Sequence, residues 1–476
     1  MGFRISTFST YRRVLQGLRT SQVASLRAQE QLSSGKRILR PSDDPTGAAR
    51  AIRLERQIAD MDRYRRAIAQ GQRTVDAGSA ALTDASTLIS QARELILQGM
   101  NGTLTQDDRN SIADQFDLIR NQMLDLANDR SGDLYVFGGT QTDRKPFVEM
   151  EENGRTTIQY VGDDGGQRIL VGSSVDVAIT LEGSEAFARF EPTGTVYGGL
   201  TGVAAGTDAD EGRGYSTLSF RHDQTVAPDL ATVGIALVNG GNGDTLLGDN
   251  ALVVDATAGT IRLSTGPAVE IPTPLPADLV LTNEIGAELH LDLTSFTGAD
   301  LTTTVTGEGS VSLDGTNYVQ FDPTETNFEL VDEEADRVIH VDLTNVKRAG
   351  DELVEFGGTT NVFDLLQQTA VDLRNEDGLT TRAMLDRLNY RLEDLDRHHQ
   401  NVLIGAGTLG ARSQRLDVSD SRSADVEVHL QGLLSEVADA DLAEVATELT
   451  RIDYLLQLTQ ASSASLLQTS LLNYLG

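Results

Sequence analysis

Residues Leu32-Ser-Ser-Gly-Lys-Arg-Ile-Leu-Arg-Pro-Ser-Asp-Asp-Pro-Thr-Gly-Ala-Ala-Arg-Ala-Ile-Arg-Leu-Glu-Arg-Gln-Ile58 hold the point where one helical run stops and another begins. Gly35 is the stop: after a helix, glycine takes the left-handed conformation that ends it, and Lys36 and Arg37 then set positive charge beside that helix's negative end. Asp44-Pro45 is the restart. The Asp44 carboxylate can accept from the free amides of the next helix, and Pro45 suits a first position because it has no amide hydrogen to lose there. By itself the stretch is an ordinary helix-loop-helix connection. The runs on both sides give it more weight.

Downstream, Leu54, Met61, Ile68, Val75, Leu82, Ile89 and Ile96 recur every seven residues without a miss, the period of a coiled coil. Beside them run Gly71, Gly78, Ala85, Ala92 and Gly99. Glycine inside a helix costs about 1 kcal/mol relative to alanine, so this ridge of small residues predicts a close helix-helix approach. Asn101-Gly102 ends the rod and Thr105-Gln-Asp-Asp108 caps a new helix. Ile112, Phe116, Ile119, Met123 and Leu126 then predict a second arm folding back antiparallel on the first.

Upstream, residues 6–34 read as a helix with Tyr11, Leu15, Leu18 and Leu32 on one side and Gln22, Ser25 and Gln29 between them. So polar a seam gains little from folding alone and is expected to order only against partners. The far end mirrors it. Leu442, Val445, Leu449, Ile452 and Leu456 form one run, and the last segment alternates leucine pairs with small polar residues up to Leu471 and Tyr474. We expect Leu15, Leu18, Leu32, Leu442, Val445, Leu449, Ile452, Leu456, Leu471 and Tyr474 to form an assembly interface.

Between these ends the character changes. Residues 140–360 are rich in Gly, Thr, Val and Asp, with short alternating runs such as Thr156–Tyr160, Ile169–Val171 and Val175–Ile179, which are strand signals. Pro272, Pro274 and Pro276 mark a loop or edge. Helix resumes at Asn361-Val-Phe-Asp364, and Leu385, Leu388, Leu392, Leu395, His399 and Val402 continue the register. The expected fold class is α+β and multidomain: a long antiparallel coiled-coil rod built from both chain ends, with β-rich domains inserted in the middle. In residues, 1–44 and 421–476 are terminal helices for axial assembly, and 45–139 with 361–420 form the rod. Residues 140–190 with 340–360 form a β-rich domain, and 191–339 an acidic outer one.

Charge sharpens the division. The chain of 476 residues carries a formal −32, and residues 191–360 hold 28 acidic against 6 basic side chains. Residues 1–66 hold 14 basic against 6 acidic, whereas residues 421–476 hold 2 against 8, so the two ends are electrostatic complements. The overall charge argues against nucleic acid and anionic membranes as partners. No cysteine is available for disulfides, and neither a secretory signal nor a membrane span is legible.

The motif Leu32-Ser-Ser-Gly-Lys-Arg37 followed by Pro41-Ser-Asp-Asp-Pro45 resembles the N-terminal signature of the flagellin family. Its Asp-Asp-Pro ending, Asn101-Gly-Thr-Leu-Thr-Gln-Asp-Asp-Arg109 and Tyr135-Val-Phe-Gly-Gly139 are similar to the hook-filament junction branch rather than the filament branch. Gly410-Ala-Arg-Ser-Gln-Arg-Leu416 resembles the family's C-terminal helical half. The resemblance leaves roughly residues 160–350 uncovered. It implies a structural component of the bacterial flagellum that links hook and filament by polymerising through its terminal helices. It further implies export by the flagellar type III route without a cleaved signal. The implied partners are a neighbouring junction protein, flagellin, further copies of the chain in a ring or short tube, and an export chaperone on the C-terminal helix. Gly35, Lys36, Arg37, Pro41, Ser42, Asp43, Asp44 and Pro45 make up the helix-connecting motif. Filament flagellin, and an extracellular binding module on a helical stalk, stand as alternatives.

Chemistry finds little foothold. Gly405-Ala-Gly-Thr-Leu-Gly410 matches a dinucleotide-loop pattern but follows a helical run instead of a buried strand. Gly240-Gly-Asn-Gly-Asp244 is one unrepeated, shortened calcium-type turn. His222, His290, His340, His398, His399 and His429 lack zinc spacing. We expect no enzyme, no cofactor and no metal.

Overall fold

The computed structural model describes residues 7–152, 155–376 and 378–475, with side chains from 12 to 151 and from 156 to 464, residue 377 apart. Seven helices are described: α1 (Thr7–Ser34), α2 (Pro45–Gly99), α3 (Gln106–Ala127), α4 (Gly183–Phe187), α5 (Val362–Arg374), α6 (Thr381–Ala438) and α7 (Leu442–Leu475). The chain is α+β and divides into two compact units, one of residues 1–72, 168–177 and 413–476, the other of 73–167 and 178–412.

Local chemistry sets the helix ends. Gly35 has φ +69°, and Asp44 Oδ1 accepts from Gly47 N at 2.9 Å just before Pro45 opens α2. Thr105 and Asp108 form the reciprocal capping box of α3. Asn361 caps α5 by accepting from Asp364 N at 2.8 Å, and Asn375 (φ +53°) closes it.

In the second unit Val75, Leu82, Ile89 and Ile96 are buried, as their sevenfold spacing demands. The small-residue ridge has identifiable guests. A Cβ on Gly78 would lie 2.8 Å from both Leu409 and Val136, and one on Gly99 would lie 2.5 Å from Leu373. Gly78→Leu is therefore expected to destabilise this unit by about 1–3 kcal/mol through overpacking. Gly407→Ala, with open space around it, is expected to be neutral or to gain up to about 1 kcal/mol. Urea midpoints of the two variants check both.

α2 and α6 run antiparallel in this unit: Ser86 Oγ lies 2.8 Å from His399 Nε2, and Arg93 pairs with Asp396 at 3.0 Å. The second arm folds back antiparallel along α2 as expected: Arg109 Nε donates to Gly99 O at 3.3 Å at its start, and Ser131, just past its end, lies 3.4 Å from Thr74. Ile112, Phe116, Ile119 and Met123 are buried, and α3 packs chiefly on α5, whose Leu373 also sits on Gly99. Helix α5 returns from more than 200 residues away to fill the groove. Phe137, Phe147, Phe187 and Phe363 close this region with ring centroids 5.1–5.9 Å apart.

The expected strands are present. They begin with β1 (Arg130–Ser131), β2 (Leu134–Tyr135), β3 (Phe147–Glu152), β4 (Arg155–Tyr160), β5 (Arg168–Leu170) and β6 (Asp176–Ala178). The acidic middle then supplies β7 (Val196–Tyr197), β8 (Ala204–Ala205), β9 (Tyr215–Val226), β10 (Ala236–Leu237), β11 (Gly248–Asp255), β12 (Thr260–Leu263) and β13 (Val269–Glu270). It continues with β14 (Leu279–Thr282), β15 (Glu288–Asp292), β16 (Leu301–Ser312), β17 (Val319–Gln320), β18 (Phe328–Asp332), β19 (Arg337–Asp342) and β20 (Gly350–Glu355). One sheet has the order β13-β12-β11-β16-β9-β20-β7 with β17 on β16, and two three-stranded sheets, β10-β15-β14 and β18-β19-β8, accompany it. The proline-rich stretch lies between β13 and β14.

The leucine stripe of α6 is half of its buried face. Arg387, Arg391, Asp394 and His398, spaced as a second stripe, are buried too. Arg391 Nε donates to Asp372 Oδ2 at 2.9 Å while its Nη1 pairs with Glu355. Arg387 reaches Asp372 Oδ1 at 3.1 Å and Gly198 O at 2.7 Å. Glu352 accepts from Leu200 N at 2.9 Å and from Thr201 N and Oγ1 at 2.7 Å. Asp372 lies on α5 and Glu355 on β20, so one ionic network ties two helices to the β-domain.

Gly405–Gly410 lies inside α6, where a Cβ on Gly405 would lie 3.0 Å from Leu181. At Gly240–Asp244, Asn239 and Gly240 are left-handed. Buried Asp244 accepts from Thr225 Oγ1 at 2.6 Å and His290 N at 2.8 Å, so its carboxylate serves a turn. Among the described residues no group of His, Cys, Asp or Glu could hold a metal ion, and no helix is long and apolar enough to cross a membrane.

Candidate functional site

The first unit brings the two chain ends together. α1 and α7 lie antiparallel, with Ser25 Oγ 3.2 Å from Asp453 Oδ1 at one level and Lys36 bridged to Asp439 at the other. Among the described side chains their shared seam is thin: Ser25, Ala28 and Ile452 are its buried residues. Small side chains let the helices approach but bury little apolar area, and a fully buried isoleucine contributes only about 1.5–3 kcal/mol. In the structure α1 and α7 are formed and paired with each other.

The predicted interface residues separate into two groups. Val445, Leu449 and Leu456 are half-buried, in register with buried Ile452 on the face toward α1. Leu18 is half-buried, while Leu15, Leu32 and Leu442 are exposed. The side chains of Leu471 and Tyr474, like that of Tyr11, lie outside the described residues. Spacing alone missed a further set. Val23, Leu26 and Tyr454 are each more than 60% exposed, and Leu455 and Leu458 are exposed beside Tyr454, so both helices turn apolar side chains to solvent. Leucines flanking a stripe were the available signal.

The helix-connecting motif clamps the turn between α6 and α7. Arg37 N donates to Ala438 O and Arg37 Nη2 to Val437 O, both at 2.7 Å, while Ala440 N donates to Gly35 O at 2.8 Å. Arg37 was expected to face the end of its own helix, α1. It instead satisfies the last carbonyls of α6, which otherwise lack intrahelical partners and carry that helix's partial negative charge. Ile38 packs with Leu434 against Ala51, Val437 and Ala438. Asp43 accepts from Arg40 N at 2.9 Å and pairs with Arg27 at 3.1 Å. The Gly47 amide holds the Asp44 carboxyl below its usual range, and the Arg37 guanidinium adds to this. Lys36, Pro41 and Ser42 are exposed. Arg65 bridges to Asp420 (3.2 Å) and Glu427 (3.1 Å), an instance of the expected complementarity between chain ends.

This geometry offers helix pairing and exposed apolar faces. Comparison with known proteins gives it a context: residues 5–142 match the family described as the bacterial flagellin N-terminal helical region. That stretch of the chain is similar to the flagellin N-terminal helical region. Flagellar hook-associated protein 3 of Escherichia coli is 35% identical over 185 residues, 39% of this chain and 56% of that protein. The chain thus spans about half the length of that relative. Flagellin of Escherichia coli is 25% identical over 395 residues, covering 79% of this chain and 74% of the flagellin. The crystal structure of the flagellar junction protein FlgL from Legionella pneumophila superposes with a TM-score of 0.42 at 16% identity, over 82% of this chain and 99% of that one. The matched stretch contains α1, the helix-connecting motif, α2 and α3, so the residues that clamp the α6–α7 turn from this side lie within it.

Proposed function

We propose that this protein is a structural subunit of the bacterial flagellum that joins hook to filament by polymerising through α1 and α7. The observation that carries the reading is the α1–α7 pair: a seam too thin to use the helices' apolar residues leaves Val23, Leu26, Tyr454, Leu455 and Leu458 for neighbouring subunits. Under this proposal α2, α3 and α6 form an antiparallel coiled-coil rod in the wall of the axial structure. The acidic β-rich middle faces outward. The chain leaves the cell by the flagellar type III route, with a chaperone on α7, and meets a second junction protein and flagellin outside. Catalysis has no part in this role.

The faces of α7 give two tests. Leu26→Ser with Leu455→Ser and Leu458→Ser is expected to abolish assembly while the monomer keeps most of its helix content, because those side chains are exposed in the single chain and lie off the buried α1–α7 seam. Leu449→Ser with Ile452→Ser and Leu456→Ser is expected to lose both assembly and the pairing, making both ends sensitive to protease while residues of roughly 73–412 resist. Circular dichroism, limited digestion and sedimentation of each variant measure this. Normal assembly by the first variant would defeat the proposal. The 25% identity to flagellin favours the filament reading as runner-up: seeded purified protein that elongates into long filaments would select it, and capping without elongation selects the junction.

A further inference from the structure

We infer that residues 227–305 are a second copy of the β-domain around them, inserted between Val226 and Thr306, and that this copy folds as a separate cooperative unit. The backbone pairings repeat one for one. Thr260↔Glu270 and Ile261↔Val269 join β12 to β13; fifty residues on, Ser310↔Gln320 and Val311↔Val319 join β16 to β17. Leu281↔Leu289 in β14–β15 has its counterpart in Leu330↔Ile339 of β18–β19. The short third strand of each small sheet also keeps register: Ala236↔Asp292 and Leu237↔Leu291 in one, Ala204↔Asp342 and Ala205↔Val341 in the other.

The irregular parts repeat as well, and loops repeat far less readily by chance than strands do. Gly234 and Gly202 are both left-handed, and a Cβ on either would lie 2.0 or 2.1 Å from a carbonyl, that of Ser295 or Asn345. Thr297 N donates to Val233 O at 2.9 Å, and Lys347 N to Thr201 O at 3.0 Å. His290-Leu-Asp-Leu-Thr294 reappears as His340-Val-Asp-Leu-Thr344. In each, the aspartate accepts from the threonine's amide and hydroxyl at 2.6–2.9 Å, and the histidine amide donates to a distant aspartate, Asp244 or Asp210.

Each copy has its own core. Leu252, Ile261 and Leu291 belong to one cluster, and their counterparts Leu218, Val311 and Val341 to the other. The insertion point is a cross-strand pair, Val226↔Thr306, so the inserted segment leaves and returns at adjacent positions, as an independent unit must. The copies differ where the surrounding one meets the helices. Glu352 and Glu355 fall at the register positions of Thr303 and Thr306, so the ionic network with Arg387 and Arg391 belongs to the surrounding copy alone. Leu247 does pack in the surrounding copy's core, so the two touch.

The test uses the full chain and hydrogen exchange. Leu291→Ala and Val341→Ala truncate matching, fully buried side chains. Leu291→Ala is expected to speed exchange at least roughly tenfold within residues 227–305 while residues 328–355 keep their protection. Equal acceleration in both segments would show one cooperative unit and overturn the inference. As a second variant, Asn-Gly replacing residues 227–305 closes β9 and β16 as a two-residue hairpin. It is expected to retain the exchange protection of residues 328–355 and to melt lower, because Leu247 is lost. Loss of that protection would also overturn the inference.

Discussion

Asp372→Ala is expected to destabilise the second unit by about 3–5 kcal/mol, the cost of leaving buried charge without its counterion. Asp372 is completely buried and accepts from Arg391, Arg387 and Gln368. Deleting its carboxylate takes an anionic partner from two guanidiniums, 3% and 5% exposed: Arg391 keeps Glu355, and Arg387 keeps the Gly198 carbonyl. Neither arginine can shed its proton to relieve this. The signature that separates a charge effect from a cavity is the double variant: adding Arg391→Met to Asp372→Ala is expected to recover part of the loss, because it removes the stranded charge and keeps much of the volume. Denaturant midpoints measure both. A cost below about 1 kcal/mol, the level of exposed ion pairs, would mean that water reaches the network and that it does not hold α5, α6 and β20 together.

The second large effect is acid sensitivity through His398. Burial pushes its imidazole down to about 4, with the Arg397 guanidinium adding to the shift and a hydrogen bond with the Thr360 backbone opposing it. In the unfolded chain the same group titrates near 6.5. Between those values the unfolded state binds a proton that the folded state refuses, so stability falls as pH drops from about 6.5 to about 4 and levels off below for this group. At about 1.4 kcal/mol per pH unit, the loss is on the order of 3 kcal/mol. Asp44 and Asp108 are held below the ordinary carboxylate range by hydrogen bonds, and their contributions are lost only at still lower pH. His398→Gln is therefore expected to flatten the upper part of the profile while leaving the acid limb. An unchanged slope between about pH 6.5 and about pH 4.5 in that variant would assign the acid sensitivity elsewhere.

How much could be read beforehand depended on how far away each partner lay in the chain. Gly35, Asp44-Pro45, Thr105 with Asp108, and Asn361 act within four residues of themselves, and the helix ends fall where they put them. The sevenfold stripe of α2 works likewise, because one helix face is a local property. Arg37 was legible as a cation beside a helix end, but which helix was not: its acceptors are 400 residues away. The buried arginines of α6 were passed over because charged residues on a helix usually mark the wet face; here α5 and β20 bring carboxylates to them. The two histidine-containing pentapeptides were visible as text. Their copies are offset by about 32 residues in one half of the domain and by about 50 in the other, because one lies inside the other, and so no single period announces them.

The amino-acid order alone established a helical frame at both ends, a strand-rich acidic middle and the flagellin-type motif, since periodicity, caps and turns are written in neighbouring residues. Tertiary structure decided which faces are covered. It put Ile452 against α1 and left Leu455 half exposed, gave Arg37 to α6, and divided the middle into two cores, because burial and pairing depend on residues that only the folded chain brings together.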